Sequence, residues 1–352
     1  MKVLISGYYG FGNAGDEALL YAIIELLREC DRDIDITVLS DKPEQTREAH
    51  HVHAVNRWSV FEVYKALKQA DGLFSGGGSL LQDETSWRSI PYYTGIMILA
   101  RMMGKPFVVF AQGLGPLRRG YNRRLVKAVL SGASFISMRD EESRALAKHL
   151  GIKKEIDLVP DPVLSLGNQG AIQRVEAPLT IVVSVRSWPG QEDYKQKIAA
   201  TLDRCINNGF RVIFVPMHGE EDQIASENVK SLMAREAVVA DYNIPFEDKL
   251  KIVGRASVLF GIRLHSLVFA AVNRVPFVAL SYDPKVDAFA RQCGQPIVGS
   301  LNDPWNENDL YELIVNQSDY KEAESDKLDN LISGLKGNLV SVAKRSLASL
   351  ER

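Results

Sequence analysis

Basic side chains follow several predicted strands of this sequence almost directly. Parallel strands place their carboxyl ends at one edge of a sheet, so these cations are expected to converge there. Gathering like charges is unfavourable unless an anion neutralises them, and arginine binds planar or tetrahedral oxyanions bidentately. The pattern predicts a site for a small, multiply charged anion, although one such residue alone is more often paired with a carboxylate. The set comprises Arg139, Arg186, His218, Arg263, His265 and Lys285.

One histidine of this set is suited to proton transfer. The segment 261–266 reads GIRLHS, and alternation along an extended segment points Arg263 and His265 to the same side. An imidazole titrates near neutrality, so His265 beside an anion-binding arginine is a candidate general acid. The alternative is a structural histidine that caps a helix beginning at Ser266.

The first glycine-rich turn, GFGNAG at 10–15, matches the dinucleotide-binding pattern G-x-G-x-x-G, and Asp41 follows the second predicted strand. Against a dinucleotide, Asp16 and Glu17 begin the next helix, where a pyrophosphate needs free N–H groups and positive potential. The favoured interpretation is a tight turn that presents Asn13 and Asp16 to a ligand-binding cleft. The alternative for Asp16 is a purely helix-capping role.

Two further glycine-rich turns follow predicted strands, SGGGS at 75–79 and QGLGP at 112–116. Glycine lets a backbone approach a ligand closely at the edge where open α/β sheets bind ligands. Together the turns suggest a broad polar groove suited to a sugar chain. The alternative is that short strand-to-helix connections simply need glycine.

Neither a metal site nor a disulfide framework is predicted. His50, His51 and His53 lie in a polar connection without a carboxylate or cysteine partner at ligand spacing, and they are expected to be solvated. The three cysteines are scattered, odd in number and without a CxxC pair. This usage fits a reducing cytoplasm.

The composition is that of an ordinary globular protein. The 352 residues are 46% hydrophobic and 24% charged, which excludes a disordered, collagenous or coiled-coil chain. The formal net charge of -2 provides no general attraction to nucleic acid. No signal peptide and no apolar run of about 18 residues is recognisable, so neither export by a leader nor a membrane span is expected.

The elements that must position the candidate residues alternate between strand and helix. Short apolar runs separated by amphipathic stretches indicate an α/β fold with mostly parallel sheets. The polar stretch 166–178 is the predicted linker between an N-terminal α/β domain at 1–165 and a second α/β domain at 179–318, with a helical segment at 319–352. Two Rossmann-like domains facing across a cleft are expected, as in the GT-B-like arrangement, although the strand count fits other double Rossmann-like layouts as well. Strands are predicted at 3–6, 36–39, 73–74, 107–111, 135–137, 156–159, 179–185, 212–215, 258–260, 275–280 and 297–298.

Several motifs, in this order, resemble those of the polysaccharide pyruvyl transferase family over about the first 290 residues. They are ISGYYGFGNAGDEALL, FSGGGSLLQDETS, VVFAQGLGPL, SMRDEESRALAKHLG, VPDPVL, GIRLHSLVFAA and LSYDPKV. The combination is specific, although no motif alone is. The resemblance is close to the CsaB type, which acts on secondary cell-wall polymers.

The resemblance implies a GT-B-like fold and transfer of pyruvate from phosphoenolpyruvate to a sugar diol, with release of phosphate. For the CsaB type, the implied acceptor is a β-linked N-acetylmannosamine on a lipid-linked saccharide. Its 4,6-ketal later helps cell-surface proteins, including those of S-layers, to anchor to the wall. The enzyme would be cytoplasmic and possess no cofactor, because phosphoenolpyruvate is a co-substrate.

Site residues are carried over by motif. On the donor side the resemblance implies Arg139 of RDEES, Arg263 and His265 of RLH, and Lys285 of DPK, while Arg186 is assigned by strand position only. On the acceptor side it implies Asn13, Asp16, Gly77, Gly78 and Ser79. The donor is a small anion with a carboxylate and a phosphate, which agrees with the cationic pattern.

The chemistry of the donor assigns roles to these residues. An enol ether becomes electrophilic at C2 only if C3 is protonated, so His265 is expected to act as the acid. Arg263 is expected to stabilise the transition state, and Asp16 to act as base. No step requires a metal or a nucleotide.

Two other functions are compatible with parts of the sequence. A GT-B glycosyltransferase would use Arg263 and Lys285 to bind the diphosphate of a nucleotide sugar. A non-catalytic polysaccharide-binding protein would need no clustered arginines. The basic stretch 117–130 is compatible with peripheral contact with the cytoplasmic membrane face, but the favoured interpretation is a solvated basic helix.

Overall fold

The computed structural model describes residues 1–84, 86–167, 179–188 and 193–351. The chain forms two compact units. The first comprises Met1–Phe11, Asp16–Ser165 and Leu335–Arg352, and the second comprises Gly12–Gly15 and Leu166–Gly334. The predicted linker at 166–178 lies outside the described residues from residue 168 onward.

The first unit is built on a seven-stranded parallel sheet. Its strands are β1 (Lys2–Ser6), β2 (Asp35–Ser40), β3 (His53–Asn56), β4 (Gly72–Gly76), β5 (Phe107–Gln112), β6 (Phe135–Met138) and β7 (Asp157–Leu158). Its helices are α1 (Ala14–Cys30), α2 (Pro43–His50), α3 (Val60–Gln69), α4 (Ser89–Met102), α5 (Gly120–Leu130) and α6 (Glu141–His149). The strand order is β3-β2-β1-β4-β5-β6-β7, so the connections diverge at the junction of β1 and β4. Open α/β sheets bind ligands at such a switch point.

The second unit contains a six-stranded parallel sheet. Its strands are β8 (Thr180–Ser184), β9 (Arg211–Phe214), β10 (Val238–Val239), β11 (Val258–Gly261), β12 (Phe277–Ser281) and β13 (Ile297–Ser300). Its helices are α7 (Asp193–Asn207), α8 (Gly219–Ser231), α9 (Phe246–Gly254), α10 (Leu264–Val272), α11 (Pro284–Gln292) and α12 (Glu307–Asp319). A final helix, α13, covers Lys321–Ala348. The strand order β10-β9-β8-β11-β12-β13 places the switch point at β8 and β11.

The central strands are apolar because helices cover both faces of each sheet. All residues of β5 (FVVFAQ) and β8 (TIVVS) are buried. Leu73 and Val109 belong to the core of the first unit, and Val183 and Phe260 to that of the second. These continuous runs explain why most strands are predictable from the sequence.

The α/β prediction with parallel sheets is confirmed, but the sequence patterns miss β3 and β10. The first, HAVN, is short and half polar, and the second has only two residues. The predicted helical segment 319–352 does not stand apart, because its residues are divided between the units at Leu335. Near its end, Arg345 pairs with Asp157 across 2.6 Å, which attaches the last helix to the first unit.

The described helices include none that is both long and apolar enough to cross a bilayer. Within the same residues, no cluster of three or more His, Cys, Asp or Glu side chains is arranged to hold a metal ion.

Candidate functional site

Most of the predicted cations lie at the carboxyl edge of the second sheet. Arg186 follows β8, His218 precedes α8, Arg263 follows β11, and Lys285 is in the first turn of α11. Since β8 and β11 are the strands at the switch point, Arg186 and Arg263 occupy the position where such a sheet binds ligands.

Arg263 is held by a buried carboxylate. Its Nη2 donates to Oδ1 of Asp222 at 2.5 Å, and its Nε donates to Oδ2 at 3.0 Å. Asp222 is fully buried, whereas the Arg263 side chain is 17% exposed. The bidentate edge that the sequence analysis assigns to an anion therefore binds Asp222, and an anion would be left with the Nη1 edge.

Asp222 also organises the loop before α8. Its Oδ2 accepts hydrogen bonds from the backbone N–H groups of Met217 at 3.2 Å and His218 at 2.9 Å. Because the carboxylate joins Arg263 to this backbone, it links the ends of two strands that are separated in the sequence. Asp222 is absent from the predicted site. It is one of three consecutive acids in the first turn of α8, and the sequence does not distinguish it from the other two.

The environment of His218 lowers the pKa of its imidazole. Burial lowers the pKa of its imidazole most, and the positive charges of Arg263 and Arg186 lower it further, against the opposing effect of Asp222. Its Nδ1 is buried and makes no hydrogen bond to any described residue. The common effect of both arginines on His218 shows that the three side chains lie within electrostatic reach of one another.

Aromatic rings position Arg186 and Lys285. The Arg186 guanidinium lies 4.3 Å from the centroid of the Tyr282 ring and 5.3 Å from that of Trp188. Lys285 Nζ is 5.8 Å from the same Tyr282 ring and 3.0 Å from Oδ2 of Asp283. The Arg186 Nε is buried and has no hydrogen-bond partner among the described residues. Tyr282 thus brings two predicted donor-binding cations together.

The structure corrects the premise for His265. Helix α10 begins at Leu264, so Arg263 is its N-cap and His265 lies in its first turn. The two residues are not alternate positions of an extended segment, and the helix does not start at Ser266. Side chains alternate between two faces only in extended segments, so that alternation does not set the relative directions of Arg263 and His265 at the start of a helix.

The turn at Gly12–Gly15 contacts this region within the second unit. The backbones of Asn13 and His218 form an antiparallel bridge, and Ala14 N–H donates to the carbonyl of Met217 at 2.9 Å. A methyl group built on Gly15 would overlap the ring of His265 at Nδ1. His218 and His265 therefore both lie against the turn at Gly12–Gly15, a proximity that only the tertiary structure reveals.

In the first unit, Arg139 is engaged by carboxylates. Its Nη1 lies 3.4 Å from Oδ2 of Asp161, and its Nε lies 3.6 Å from Oδ2 of Asp140. Nη2 donates to Oγ of Ser79 at 3.4 Å. The structure therefore brings Arg139, a predicted donor residue, next to Ser79, a predicted acceptor residue. It also pairs Arg139 with two carboxylates, as is common for a single basic side chain.

The predicted acceptor turn lies at the switch point of the first sheet, next to α1. Gly77 and Gly78 have φ values of +65° and +70°, which glycine adopts readily. A methyl group on Gly78 would lie 3.3 Å from Oδ1 of Asp16, so the carboxylate is beside the turn. Helix α1 begins at Ala14, which makes Asp16 a first-turn residue and not the N-cap.

The N-terminus of α1 is already supplied with acceptors. Asn13 Oδ1 accepts from Gly15 N–H at 3.0 Å, and Glu17 Oε1 accepts from Gly10 N–H at 2.8 Å. These contacts occupy two N–H groups of the glycine-rich turn that a pyrophosphate would need.

Comparisons with known proteins identify relatives in polysaccharide metabolism. Residues 13–284 match the family model described as polysaccharide pyruvyl transferase. The amylovoran biosynthesis protein AmsJ of Erwinia amylovora is 21% identical, with 85% of this chain and 88% of that protein covered.

Solved structures resemble the chain in fold. Anabaena Alr3699/HepE in complex with UDP-glucose has a TM-score of 0.67 at 13% identity, covering 100% of this chain and 99% of the other. A structure described as a UDP-N-acetylglucosamine 2-epimerase of Listeria monocytogenes has a TM-score of 0.70 at 12% identity, covering 99% and 95%. At these identities the likeness extends to the GT-B-like fold alone.

Proposed function

Because the chain belongs to the polysaccharide pyruvyl transferase family, we propose that it transfers pyruvate from phosphoenolpyruvate to two hydroxyl groups of one sugar, forming a cyclic ketal and releasing phosphate. The observation that carries this proposal is the group of cations at the switch point of the second sheet. Phosphoenolpyruvate presents a carboxylate and a phosphate, which together require several positive charges.

The donor-binding surface consists of Arg186, Lys285 and the Nη1 edge of Arg263. Arg186 and Lys285 flank Tyr282, and Arg263 is held in place by Asp222. Arg139 completes the donor set by motif. Apart from Arg139, we assign the donor residues to the second α/β domain, predicted at 179–318, and the acceptor side to the first, at 1–165.

The reaction needs an acid, a base and charge stabilisation. His265 delivers a proton to C3 as an acceptor hydroxyl bonds to C2, and C3 becomes a methyl group. The C2–O bond to phosphate then breaks, phosphate leaves with the electron pair, and the second hydroxyl closes the ketal at C2. The base accepts the proton of each attacking hydroxyl in turn, and over one turnover one of these protons restores His265 while the other leaves on phosphate. Asp16 is the proposed base, and the guanidinium of Arg263 stabilises the charge that moves to phosphate.

The acceptor surface is assigned to Asn13, Asp16 and the turn of Gly77, Gly78 and Ser79. Within the family we assign the chain to the CsaB type, whose acceptor is a lipid-linked saccharide bearing β-N-acetylmannosamine and whose product is a 4,6-ketal. The chemistry requires no metal and no cofactor beyond the co-substrate.

The direct test is incubation of the purified protein with phosphoenolpyruvate and a synthetic β-N-acetylmannosaminide. We expect stoichiometric phosphate release and the mass increment of a pyruvate ketal on the sugar. Parallel reactions replace phosphoenolpyruvate by UDP-glucose and UDP-N-acetylglucosamine. Sugar transfer from either nucleotide, without ketal formation from phosphoenolpyruvate, would overturn the proposal in favour of a glycosyltransferase.

Gly15→Ala should impair turnover without unfolding the protein. The φ angle of Gly15 is outside the left-handed region, so alanine fits the backbone, but its methyl group would displace the His265 ring. A displacement of about 1 Å in a reacting group costs up to roughly 100-fold in rate. Phosphate release and thermal unfolding measure the two effects. Gly95→Ala, where an added methyl group meets nothing within 4 Å, is the control and should retain full turnover.

Donor binding should be accompanied by proton uptake at His218. The pKa of the free imidazole lies below its ordinary value because of burial, Arg263 and Arg186. A bound anion neutralises both arginines and raises that pKa, so protons bind when the pH lies between the two values. Calorimetry at about pH 6, in buffers of different ionisation enthalpy, measures the uptake.

His218→Gln should reduce this proton uptake and retain donor binding. The low pKa in the folded protein also means that the unfolded state binds more protons, so stability should fall as the pH drops below about 6.5. Uptake of the same size in His218→Gln would contradict the assignment.

A further inference from the structure

An aromatic cluster surrounds a buried arginine at the carboxyl edge of the first sheet. Arg57 follows β3 and is only 4% exposed. Its Nη1 donates to the carbonyl of Gly7 at 2.8 Å, and its Nη2 donates to Oη of Tyr93 at 3.2 Å. The rings within 4.5 to 5.5 Å of its guanidinium are those of Phe11, Trp58, Tyr92 and Tyr93, which we term the aromatic cluster.

Trp58 is the exposed member of the aromatic cluster, yet its orientation is fixed. The residue is 59% exposed. Its indole Nε1 donates to Oδ1 of Asp41 at 2.6 Å, and its ring lies 5.4 Å from that of Tyr92 at an angle of 52°. A flat apolar ring is therefore presented to solvent in one position, with a carboxylate at its edge.

The aromatic cluster adjoins the predicted acceptor turn. Tyr9 Oη donates to the carbonyl of Gly76 at 2.7 Å. Burial raises the pKa of Tyr93 to about 12, where the positive charge of Arg57 opposes this rise and the negative charge of Asp16 adds to it. The same two charges act on buried Tyr9. The backbone N–H of Asp41 donates to the carbonyl of Tyr9 at 3.0 Å, so Tyr9 connects the residue that orients Trp58 to Gly76, directly before the turn.

We propose that Trp58 and Asp41 form a carbohydrate subsite that binds a second pyranose ring of the acceptor, next to the sugar that receives pyruvate. The inference rests on the proposed function for its choice of ligand. A pyranose ring presents a face of C–H groups that packs on an indole, and its hydroxyls donate to a carboxylate. A fixed apolar face beside a carboxylate matches this combination.

A lipid surface is the competing occupant. Val60 and Phe61 at the start of α3 are 78% and 75% exposed, and together with Trp58 they resemble an interfacial anchor. The carboxylate of Asp41 favours a sugar over a lipid surface as the occupant. It is repelled by the headgroups of an anionic bilayer and forms no hydrogen bonds with acyl chains. The variant Phe61→Ser separates the two, since Phe61 is part of the exposed patch but not of the aromatic cluster.

The test compares saccharide binding by Trp58→Ala and Trp87→Ala. Trp87 is similarly exposed, at 57%, and lies beside Arg88 in the same unit, so it is a matched control. The probes are a disaccharide that ends in β-N-acetylmannosamine and the methyl glycoside of N-acetylmannosamine alone. Binding is measured by calorimetry without donor, and KM by phosphate release with phosphoenolpyruvate.

We expect Trp58→Ala to weaken disaccharide binding about tenfold or more and to raise the KM for the disaccharide similarly. Binding of the methyl glycoside, donor affinity and kcat should be unchanged. Trp87→Ala should match the wild type in every measurement. Asp41→Asn should weaken the disaccharide less than Trp58→Ala does, because it retains an acceptor for the indole.

Three results would overturn the subsite. The first is absence of disaccharide binding by the wild type, and the second is a disaccharide affinity of Trp58→Ala equal to that of the wild type. The third is loss of binding to phosphatidylglycerol vesicles in both Trp58→Ala and Phe61→Ser while both variants keep the wild-type saccharide affinity. The proposed function is judged separately. If the wild type binds the disaccharide but never releases phosphate, pyruvyl transfer fails while the binding data still decide the subsite.

Discussion

Replacing His265 by glutamine should lower phosphate release by roughly two to four orders of magnitude, the range for loss of acid–base catalysis, while donor affinity is retained. Glutamine keeps the approximate size and some hydrogen bonding of the imidazole but has no titratable proton to deliver to C3. His265 lies in the first turn of α10, two residues after Arg263, the N-cap residue that is proposed to bind phosphate.

The measurement pairs calorimetry of phosphoenolpyruvate binding with phosphate release in the presence of acceptor. His53→Gln is the control, because the His53 side chain is 77% exposed, and it should leave both quantities unchanged. Normal turnover in His265→Gln, or loss of donor binding alone, would mean that His265 has a structural or phosphate-contacting role. The proton would then have to come from another group.

Asp222→Ala should cost about 3–5 kcal/mol of the free energy of unfolding and weaken donor binding. The carboxylate is fully buried and forms a bidentate pair with Arg263, whose side chain is 17% exposed. Its removal leaves a mostly buried positive charge uncompensated and two backbone N–H groups, those of Met217 and His218, without their acceptor. Denaturant unfolding measures the loss.

Two variants test the cause of this loss. Asp248→Ala removes a surface partner of Lys251, where both side chains are more than half exposed, and should cost less than about 1 kcal/mol. The double variant Asp222→Ala/Arg263→Met should be more stable than Asp222→Ala alone, because it removes the uncompensated charge. A loss below 1 kcal/mol in Asp222→Ala would show that the pair is solvated and does not position Arg263.

The architecture could be predicted because it depends on local patterns. Strands such as β5 and β8 are buried throughout, so they are continuous apolar runs bounded by turn residues. The strands β3 and β10 escape prediction because the first is short and half polar and the second has only two residues. The order of the strands, and with it the position of the switch points, depends on pairings between distant segments.

The sequence by itself determined which cations follow the strands of the second sheet, and hence the charge of the ligand that they suit. It determined this because the end of a strand and the residue after it are adjacent in the chain. Arg186, Arg263 and Lys285 all occupy such positions. The glycines at 77 and 78 are determined in the same local way, by backbone angles that other residues avoid.

Only the tertiary structure decided what each of these groups contacts. Asp222 neutralises the bidentate edge of Arg263, Tyr282 joins Arg186 to Lys285, and Gly15 leaves room for His265. The orientation of Trp58 by Asp41 is of the same kind. Apart from Tyr282 and Lys285, which are three residues apart, the partners are distant in sequence, and their contact depends on how helices and loops pack after the sheets have formed. Contacts between residues distant in the chain leave no periodicity or spacing in a single sequence. The sequence therefore determines features that depend on neighbouring residues, and the tertiary structure decides those that depend on distant ones.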